Sequence, residues 1–260
     1  MKGLHCCPQS LQYHVHPSPK SVVANTLTAC LKVAADGGAN QLCELAKHTP
    51  DSPFVRHHGS KSSFPSSPAS LPLTQEKNTL DAIVGDLDSL TPESRTYFES
   101  RNTAIVHYPD QQYTDFGKAI KHVRAASAAP TDIAAVGGLG GRVDQGISQL
   151  HHLYAFQPGT GYDRGRIYLV SEESVTVLLK TGRHVIHVRE GEGDDVFGKH
   201  VGILPIREPS VITTRGLEWD VEGWETEIGG LLSTSNHVLP ETRVVEVETS
   251  KDVLFTIALK

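Results

Sequence analysis

The chain has 260 residues, of which 38% are hydrophobic. This length and composition suit one large or two modest globular domains and exclude wholesale disorder. The 24 lysines and arginines against 30 aspartates and glutamates give a formal charge of −6, which argues against a nucleic-acid-binding or anionic-membrane-binding protein. We find no apolar run long enough to span a membrane, no signal-peptide core and no Cys-x-x-Cys pair. The sequence predicts a cytoplasmic protein with reduced thiols and a small-molecule ligand.

Short apolar runs that end at an acid or a glycine predict the strands of the N-terminal half. They cover residues 31–35, 82–84, 103–108 and 133–136, and helical patterns begin after Thr114 and after Asp144. Because strands and helices alternate, we expect one parallel sheet covered by helices. The prediction is an α/β catalytic domain over residues 1–160.

Two stretches of this half do not fit the pattern. Ten of the 14 residues from 59 to 72 are Ser, Pro or Gly, so we predict a surface loop insertion at about 51–79 that joins no core. Residues 1–30 are polar and rich in His and Pro, and no clear strand is predicted there.

From residue 166 onward, short strands separated by turn residues replace the helical pattern. We expect eight strands, over residues 166–170, 174–179, 184–188, 201–206, 211–214, 231–235, 243–247 and 253–259. This spacing predicts an antiparallel β-sandwich over residues 161–260, with turn residues at about 158–164 marking the boundary.

Aspartates follow the ends of the predicted parallel strands. In an open parallel sheet these ends meet at one edge, where ligands bind. Asp86 and Asp88, on alternate residues after an apolar strand, can hold a hard divalent cation that bridges phosphate oxygens. A lone Asp-x-Asp pair is more readily explained by capping of the following turn. The further acids Asp36, Asp110 and Asp115 favour a Mg²⁺–nucleotide site instead.

A glycine-rich segment, residues 137–141, follows the fourth predicted strand and precedes a helix. Its backbone N–H groups and the helix N-terminus can receive phosphate oxygens, and Arg142 adds a charged contact. The segment fits neither a Walker loop nor Gly-x-Gly-x-x-Gly, so a flexible turn is an open alternative. In the second half, Trp219 and residues 233–236 can form the wall of a small-molecule pocket, with a core role for the tryptophan as the alternative.

Five motifs, in this order, resemble the thiamin pyrophosphokinase family, and the stretch from Gly216 to Asn236 resembles its fungal branch. They are Ala-Asp-Gly-Gly-Ala-Asn at 35–40, Gly-Asp-Leu-Asp-Ser at 85–89, Asp-Gln-Gln-Tyr-Thr-Asp-Phe at 110–116, Gly-Gly-Arg-Val-Asp-Gln at 140–145 and Ser-Thr-Ser-Asn at 233–236. The resemblance implies thiamine diphosphokinase activity, in which diphosphate passes from ATP to the hydroxyl of thiamin with Mg²⁺ as cofactor. It also implies a homodimer whose sites lie between the α/β domain of one subunit and the sandwich of the other.

The resemblance assigns site residues in three groups. The acidic catalytic group is Asp36, Asp86, Asp88, Asp115 and Asp144, of which Asp86, Asp88 and Asp115 are expected to bind the metal. The ATP-side group is Gln111, Gly140, Gly141, Arg142 and Gln145. The thiamin-side group is Trp219, Ser233, Ser235 and Asn236.

Two other functions stay open from the sequence. A nucleotide-sugar glycosyltransferase also uses an Asp-x-Asp metal site on an α/β sheet, but it explains neither the Thr-Asp-Phe element nor the β domain. A catalytically inactive thiamin or nucleotide sensor explains the same motifs, and a turnover assay with thiamin and Mg-ATP distinguishes it from an enzyme.

Overall fold

The computed structural model describes residues 12–15, 31–48, 80–137, 139–189 and 196–260. The insertion predicted at about 51–79 and most of the first 30 residues lie outside these ranges. The chain divides into two compact units, one of residues 25–129 and one of residues 1–24 together with 130–260.

The described residues form fourteen strands and four helices. The strands are β1 (Gln12–Val15), β2 (Val33–Ala35), β3 (Ala82–Gly85), β4 (Ala104–His107), β5 (Ile133–Val136), β6 (Ile167–Val170), β7 (Ser174–Leu179), β8 (Gly182–His187), β9 (Phe197–Leu204), β10 (Ser210–Arg215), β11 (Trp224–Thr226), β12 (Ser233–His237), β13 (Val244–Thr249) and β14 (Val253–Leu259). The helices are α1 (Gly37–His48), α2 (Pro92–Glu99), α3 (Asp115–Ala126) and α4 (Val143–Ala155).

A parallel sheet in the order β2-β3-β4 is the centre of the unit of residues 25–129. The central strand β3 is buried along its whole length, as expected for a parallel strand with both faces covered. Ala34 and Ile83 pack with residues of α1 and α2, and α3 packs against β2 and β3. Thr114 caps α3 as predicted, because its hydroxyl accepts the Gly117 N–H at 3.2 Å. The α/β prediction is confirmed, and β2 and β3 end at one sheet edge.

Two sheets form the second unit, in the orders β1-β8-β13-β10-β11 and β12-β9-β14-β7-β6-β5. One shared apolar core includes Val245 and Val247 from the first sheet and Val253, Phe255 and Ile257 from the second. The predicted β-sandwich is therefore confirmed, and each of the eight predicted strands overlaps an observed one. The three-residue strand β11 was not predicted, because so short a segment carries no periodicity.

The strand predicted over residues 133–136 is formed, but its expected place beside β2, β3 and β4 is wrong. β5 pairs in parallel with β6, with Ile133 opposite Ile167 and Val136 opposite Val170. Helix α4 provides the crossover that two parallel strands require, and it packs against β7. The glycine-rich segment after β5 therefore leaves a different sheet from the one that carries the aspartates.

The N-terminal stretch also differs from its prediction. Strand β1 pairs in parallel with β8, from Gln12 opposite Arg183 to Val15 opposite Ile186. A polar four-residue strand at a sheet edge needs only backbone partners, so its side chains give no apolar signal. None of the described helices is long and apolar enough to cross a membrane.

Candidate functional site

Three carboxylates meet where β2 and β3 end. Asp36 directly follows β2, Asp86 and Asp88 follow β3, and one oxygen from each lies within 4.8 Å of the others. Oδ2 of the fully buried Asp36 accepts the Ser89 backbone N–H at 3.2 Å. Its Oδ1 is buried without a hydrogen-bond partner among the described residues. Because a buried carboxylate oxygen without a donor is costly, this cluster fits a bound cation. We call these three residues the aspartate trio.

The turn that carries Asp86 and Asp88 is held by Asn40, the last residue of the 35–40 motif. Leu87, between Asp86 and Asp88, has φ of 65°, a left-handed conformation that is unfavourable for a branched side chain. Asn40 of α1 anchors the turn, since its amide donates to the Ser89 carbonyl at 2.7 Å and its oxygen accepts the Thr91 N–H at 3.1 Å. The first motif therefore supplies one member of the trio and the support for the other two.

A buried lysine at this edge was not predicted from the sequence. The ammonium of Lys118, whose side chain is 3% exposed, lies 3.0 Å from Oδ1 of Asp115 and 3.1 Å from Oδ2 of Asp86. Gln111 donates to the same Asp86 oxygen at 3.3 Å. One signal was available in the sequence: a lysine near the N-terminus of a helix opposes the helix dipole, so it needs a local reason.

Burial and neighbouring charges shift the pKa values of Asp36 and Asp86 in opposite directions. Burial, reinforced by the neighbouring acids, raises the pKa of Asp36. The hydrogen bond from Lys118 lowers the pKa of Asp86. Burial alone would lower the pKa of Lys118, but its bonds to Asp115 and Asp86 outweigh that effect and raise it. The edge therefore combines an ionised Asp86 with a buried carboxyl group whose charge needs a further cation.

The predicted acidic group is brought together in part. Asp36, Asp86 and Asp88 form the trio, whereas the sequence placed Asp115 among the metal ligands and left Asp36 out. Asp115 instead accepts the Asp86 backbone N–H at 3.2 Å and pairs with Lys118. The metal role of Asp115 rests on the family resemblance and stays a prediction, and the structure places this acid beside Asp86 through the bond to its backbone N–H.

The predicted ATP-side segment lies in the second unit, between β5 and α4. Arg142 forms a two-point ion pair with Asp144, at 3.1 Å from Nε to Oδ1 and 2.6 Å from Nη2 to Oδ2, with both side chains exposed. This pairing raises the pKa of Arg142 and lowers that of Asp144, to which Gln145 also donates at 3.4 Å. A Cβ at Gly140 or Gly141 would have no described residue beyond its chain neighbours within 4 Å, so the backbone there is open to a ligand.

Trp219, predicted on the thiamin side, is 54% exposed, so the alternative of a core tryptophan is wrong. Asn236 is buried, and its amide both accepts the Trp219 N–H at 3.2 Å and donates to the Trp219 carbonyl at 2.9 Å. Asn236 therefore holds the tryptophan backbone in place. Ser235 is exposed with φ of 59°, and Ser233 lies at an irregularity in the pairing of β12 with β9.

Two residues that support Trp219 were not predicted. Asp220 organises the turn before β11, because its carboxylate accepts the Gly216 N–H at 2.9 Å and the Leu217 N–H at 3.1 Å. The His237 ring lies 4.9 Å from the indole. The close spacing of Gly216 and Asp220 was the available signal for the turn, since aspartate side chains often bond nearby backbone N–H groups.

The carboxylates of the parallel sheet and the exposed tryptophan of the sandwich together indicate which ligands the protein can bind. A parallel sheet whose edge gathers carboxylates suits a divalent cation and phosphate groups, and the sandwich that follows it presents an aromatic face beside hydroxyls. Two family models match the chain: the catalytic domain of thiamin pyrophosphokinase over residues 24–161 and its vitamin B1 binding domain over residues 183–254. The chain belongs to the thiamin pyrophosphokinase family, which confirms the predicted family but not its fungal branch.

Individual relatives agree with the family models. Thiamine pyrophosphokinase 3 of Oryza sativa subsp. japonica is 34% identical over 239 residues, which cover 89% of this chain and 80% of the relative. Thiamine pyrophosphokinase 2 of Arabidopsis thaliana is 35% identical over 241 residues, covering 89% and 79%. A solved structure, thiamin pyrophosphokinase from Candida albicans, is similar with a TM-score of 0.73 at 22% identity, covering 99% of this chain and 96% of that one. The structural likeness supports the fold.

We predict that Gly85→Ala displaces Asp36 and so disrupts the aspartate trio. A Cβ at Gly85 would lie 2.7 Å from the Asp36 Cβ and 2.9 Å from Oδ1 of Asp115, too close for either group to stay in place. The variant should lose about 1–3 kcal/mol of stability and bind Mn²⁺ more weakly. Thermal unfolding and Mn²⁺ titration followed by electron paramagnetic resonance measure the two effects.

Gly38→Ala is the matched control, because no described residue outside its own helical turn lies within 4 Å of a Cβ at that position. It should keep wild-type Mn²⁺ affinity and stability. A stable Gly85→Ala protein with wild-type Mn²⁺ affinity would contradict the close packing of Asp36, Gly85 and Asp115.

Proposed function

We propose that the chain is a thiamine diphosphokinase, which transfers diphosphate from ATP to the hydroxyl of thiamin and releases AMP. The observation that carries the proposal is the aspartate trio, with its buried, unpartnered Asp36 oxygen, inside the region that matches the catalytic domain. The vitamin B1 binding domain match supports thiamin as the acceptor. Both matches together favour this activity over a nucleotide-sugar transferase.

Mg²⁺ is the proposed cofactor, and Asp36, Asp86 and Asp88 are the residues that would hold it. Their oxygens are hard ligands of the kind Mg²⁺ prefers, and Oδ1 of Asp36 has no competing donor among the described residues. When bound, Mg²⁺ neutralises charge on the phosphate oxygens during transfer. Asp115 takes a supporting part, since it binds Lys118 and the backbone of Asp86.

The reaction needs little from a general base. Phosphoryl groups pass through a loose transition state, so the protein contributes mainly by positioning the reactants and neutralising charge. Asp115 and Asp144 are the two acids of the predicted catalytic group outside the trio. Arg142 lowers the pKa of Asp144, which is therefore a weak base near neutral pH. Asp115 already accepts hydrogen bonds from Lys118 and from a backbone N–H. We therefore assign neither a dominant base role.

We propose that the segment around Gly140, Gly141 and Arg142 contacts phosphate oxygens. The support is local: an open glycine backbone, an exposed guanidinium and the N-terminus of α4 follow one another along the chain. Gln145 and Asp144 would orient Arg142, and Gln111 would contact substrate beside Asp86.

The thiamin-side proposal assigns Trp219 the aromatic face that a cationic thiazolium ring favours. Ser233 and Ser235 would supply hydroxyl contacts to the polar groups of the vitamin. Asn236 acts through Trp219, because both polar atoms of its amide are engaged by the tryptophan backbone.

Three further assignments are proposals. We place the functional boundary at about residue 160, so β5 and α4 would serve catalysis although they lie in the same compact unit as the sandwich. A cytoplasmic location has composition as its only support. A fungal origin rests on the stretch from Gly216 to Asn236, and sequence identities do not favour it, because the rice and Arabidopsis relatives are 34% and 35% identical and the Saccharomyces cerevisiae relative is 23%.

The activity is tested by incubating the chain with thiamin and Mg-ATP and measuring AMP and thiamin diphosphate. We expect equal amounts of the two products and none after chelation of the metal. Asp86→Asn and Asp88→Asn should each lower kcat/KM roughly 100-fold or more without unfolding the protein, because each removes a charge from an accessible strand end.

Asp163→Asn, at an exposed position in the second unit, is the matched control and should behave as wild type. Wild-type activity in both Asp86→Asn and Asp88→Asn at limiting Mg²⁺ would exclude them as metal ligands. Binding of ATP and thiamin with no AMP formed would identify the chain as an inactive sensor.

We also propose a homodimer in which each site combines the aspartates of one subunit with Trp219 of the other. Trp219→Ala and Asp88→Asn proteins should each be nearly inactive alone. Mixing them should restore activity, because each heterodimer contains one intact site and one site with both lesions. Co-purification of differently tagged chains verifies subunit exchange, and exchange without recovered activity would contradict the shared site.

A further inference from the structure

Among the described residues, Lys118 is the cationic side chain that forms ion pairs with the acids that follow β3 and begin α3. Four carboxylates lie at this end of the sheet: the trio and Asp115, which accepts the Asp86 backbone N–H. Lys118 pairs with Asp86 and Asp115, while no ion pair joins it to Asp36 or Asp88. Its side chain is 3% exposed, so its ammonium depends on these two partners for the hydrogen bonds that water would otherwise provide.

The two oxygens of Asp86 are unequally occupied. Oδ2 accepts Lys118 at 3.1 Å and Gln111 at 3.3 Å, which uses both of its lone pairs. Among the described residues, the one hydrogen-bond donor to Oδ1 is the Asp88 N–H, at a long 3.4 Å. Oδ1 is therefore the oxygen of Asp86 that can turn toward a cation shared with Asp36 and Asp88.

We propose that Lys118 is a positioning residue for the metal site. By holding Oδ2 of Asp86, it fixes the carboxylate plane so that Oδ1 joins the trio. Partners that orient a metal-binding carboxylate commonly change metal affinity about 10- to 100-fold when removed. The inference rests on the metal role proposed for the trio and is independent of thiamin.

A direct phosphate contact is the competing role for a lysine in such a site. It requires an ammonium that can reach substrate, whereas this one is buried and already bonded to two carboxylates. The burial favours the positioning role, and the two roles differ in a measurable way: only positioning affects metal binding when no nucleotide is present.

The test measures Mn²⁺ binding to the full chain without ATP or thiamin, by electron paramagnetic resonance. Lys118→Met keeps the length of the side chain and removes its charge, and we expect Kd for Mn²⁺ to rise about 10- to 100-fold. Lys118→Arg keeps both ion pairs within reach and should retain most of the affinity. Lys121→Met is the control, because it removes an exposed ammonium that packs on the Tyr113 ring one turn along the same helix.

Unchanged Mn²⁺ affinity in folded Lys118→Met, with a raised KM for ATP, would overturn the proposal in favour of phosphate binding. Unchanged affinity with a lowered melting temperature alone would reduce Lys118 to a structural role. If wild-type protein makes thiamin diphosphate but does not bind Mn²⁺ at the trio, the metal assignment fails while the proposed activity stands.

A measurement on the wild-type chain covers the case in which Lys118→Met does not fold. With ¹⁵N-labelled lysine, the Lys118 ammonium is assigned by its absence from the spectrum of Lys118→Arg. We expect its signal to shift but persist when Mg²⁺ is added, because lysine and metal bind different oxygens of Asp86. Conversion to the signal of a solvent-exposed lysine would show that the metal displaces Lys118 and would contradict the proposal.

Discussion

The unit of residues 25–129 depends on one electrostatic constraint, the burial of the Asp36 carboxylate, whose two oxygens have a single hydrogen-bond donor among the described residues. Burial raises the pKa of this group, so its charge is costly unless a cation approaches. The surrounding residues hold the carboxylates in place despite this cost. Gly85 leaves room for the carboxylate, and Asn40 holds the turn that brings Asp86 and Asp88 beside it. A bound divalent cation would convert the cost into stabilisation of the folded chain.

The second unit meets a different constraint, which is to keep a large aromatic side chain exposed and fixed. Exposed tryptophan loses contact with the core, so its backbone needs other anchors. Asn236 forms hydrogen bonds with both polar groups of the Trp219 backbone. The Asp220 carboxylate closes the turn of residues 216–220, which contains Trp219. The buried sandwich core beneath, with residues such as Phe255 and Val245, gives these anchors a rigid base. Rigid support of this kind lowers the entropy cost of binding a flat ligand.

Much of the fold and of the candidate site could be predicted, because those parts depend on patterns of residues close together in the sequence. The acids after β2 and β3, the Thr114 cap and the β-strand repeats all depend on neighbours in the sequence. The partner of β5 could not be predicted, because an apolar run pairs as well with β6 as with another parallel strand. Lys118 was missed for the same reason: its partner Asp86 is 32 residues away, and only the packing of α3 on β3 brings them together. Asn236 was identified by its motif, but its bonds to Trp219 required the fold.

The central claim is that a divalent cation binds where Asp36, Asp86 and Asp88 meet. An anomalous difference map from crystals soaked in Mn²⁺ tests it most directly. The peak should lie within coordination distance of Oδ1 of Asp36 and of one oxygen each from Asp86 and Asp88, with Lys118 still bonded to the other oxygen of Asp86. An empty trio in crystals that bind Mn²⁺ elsewhere, for example at Asp144, would contradict the claim.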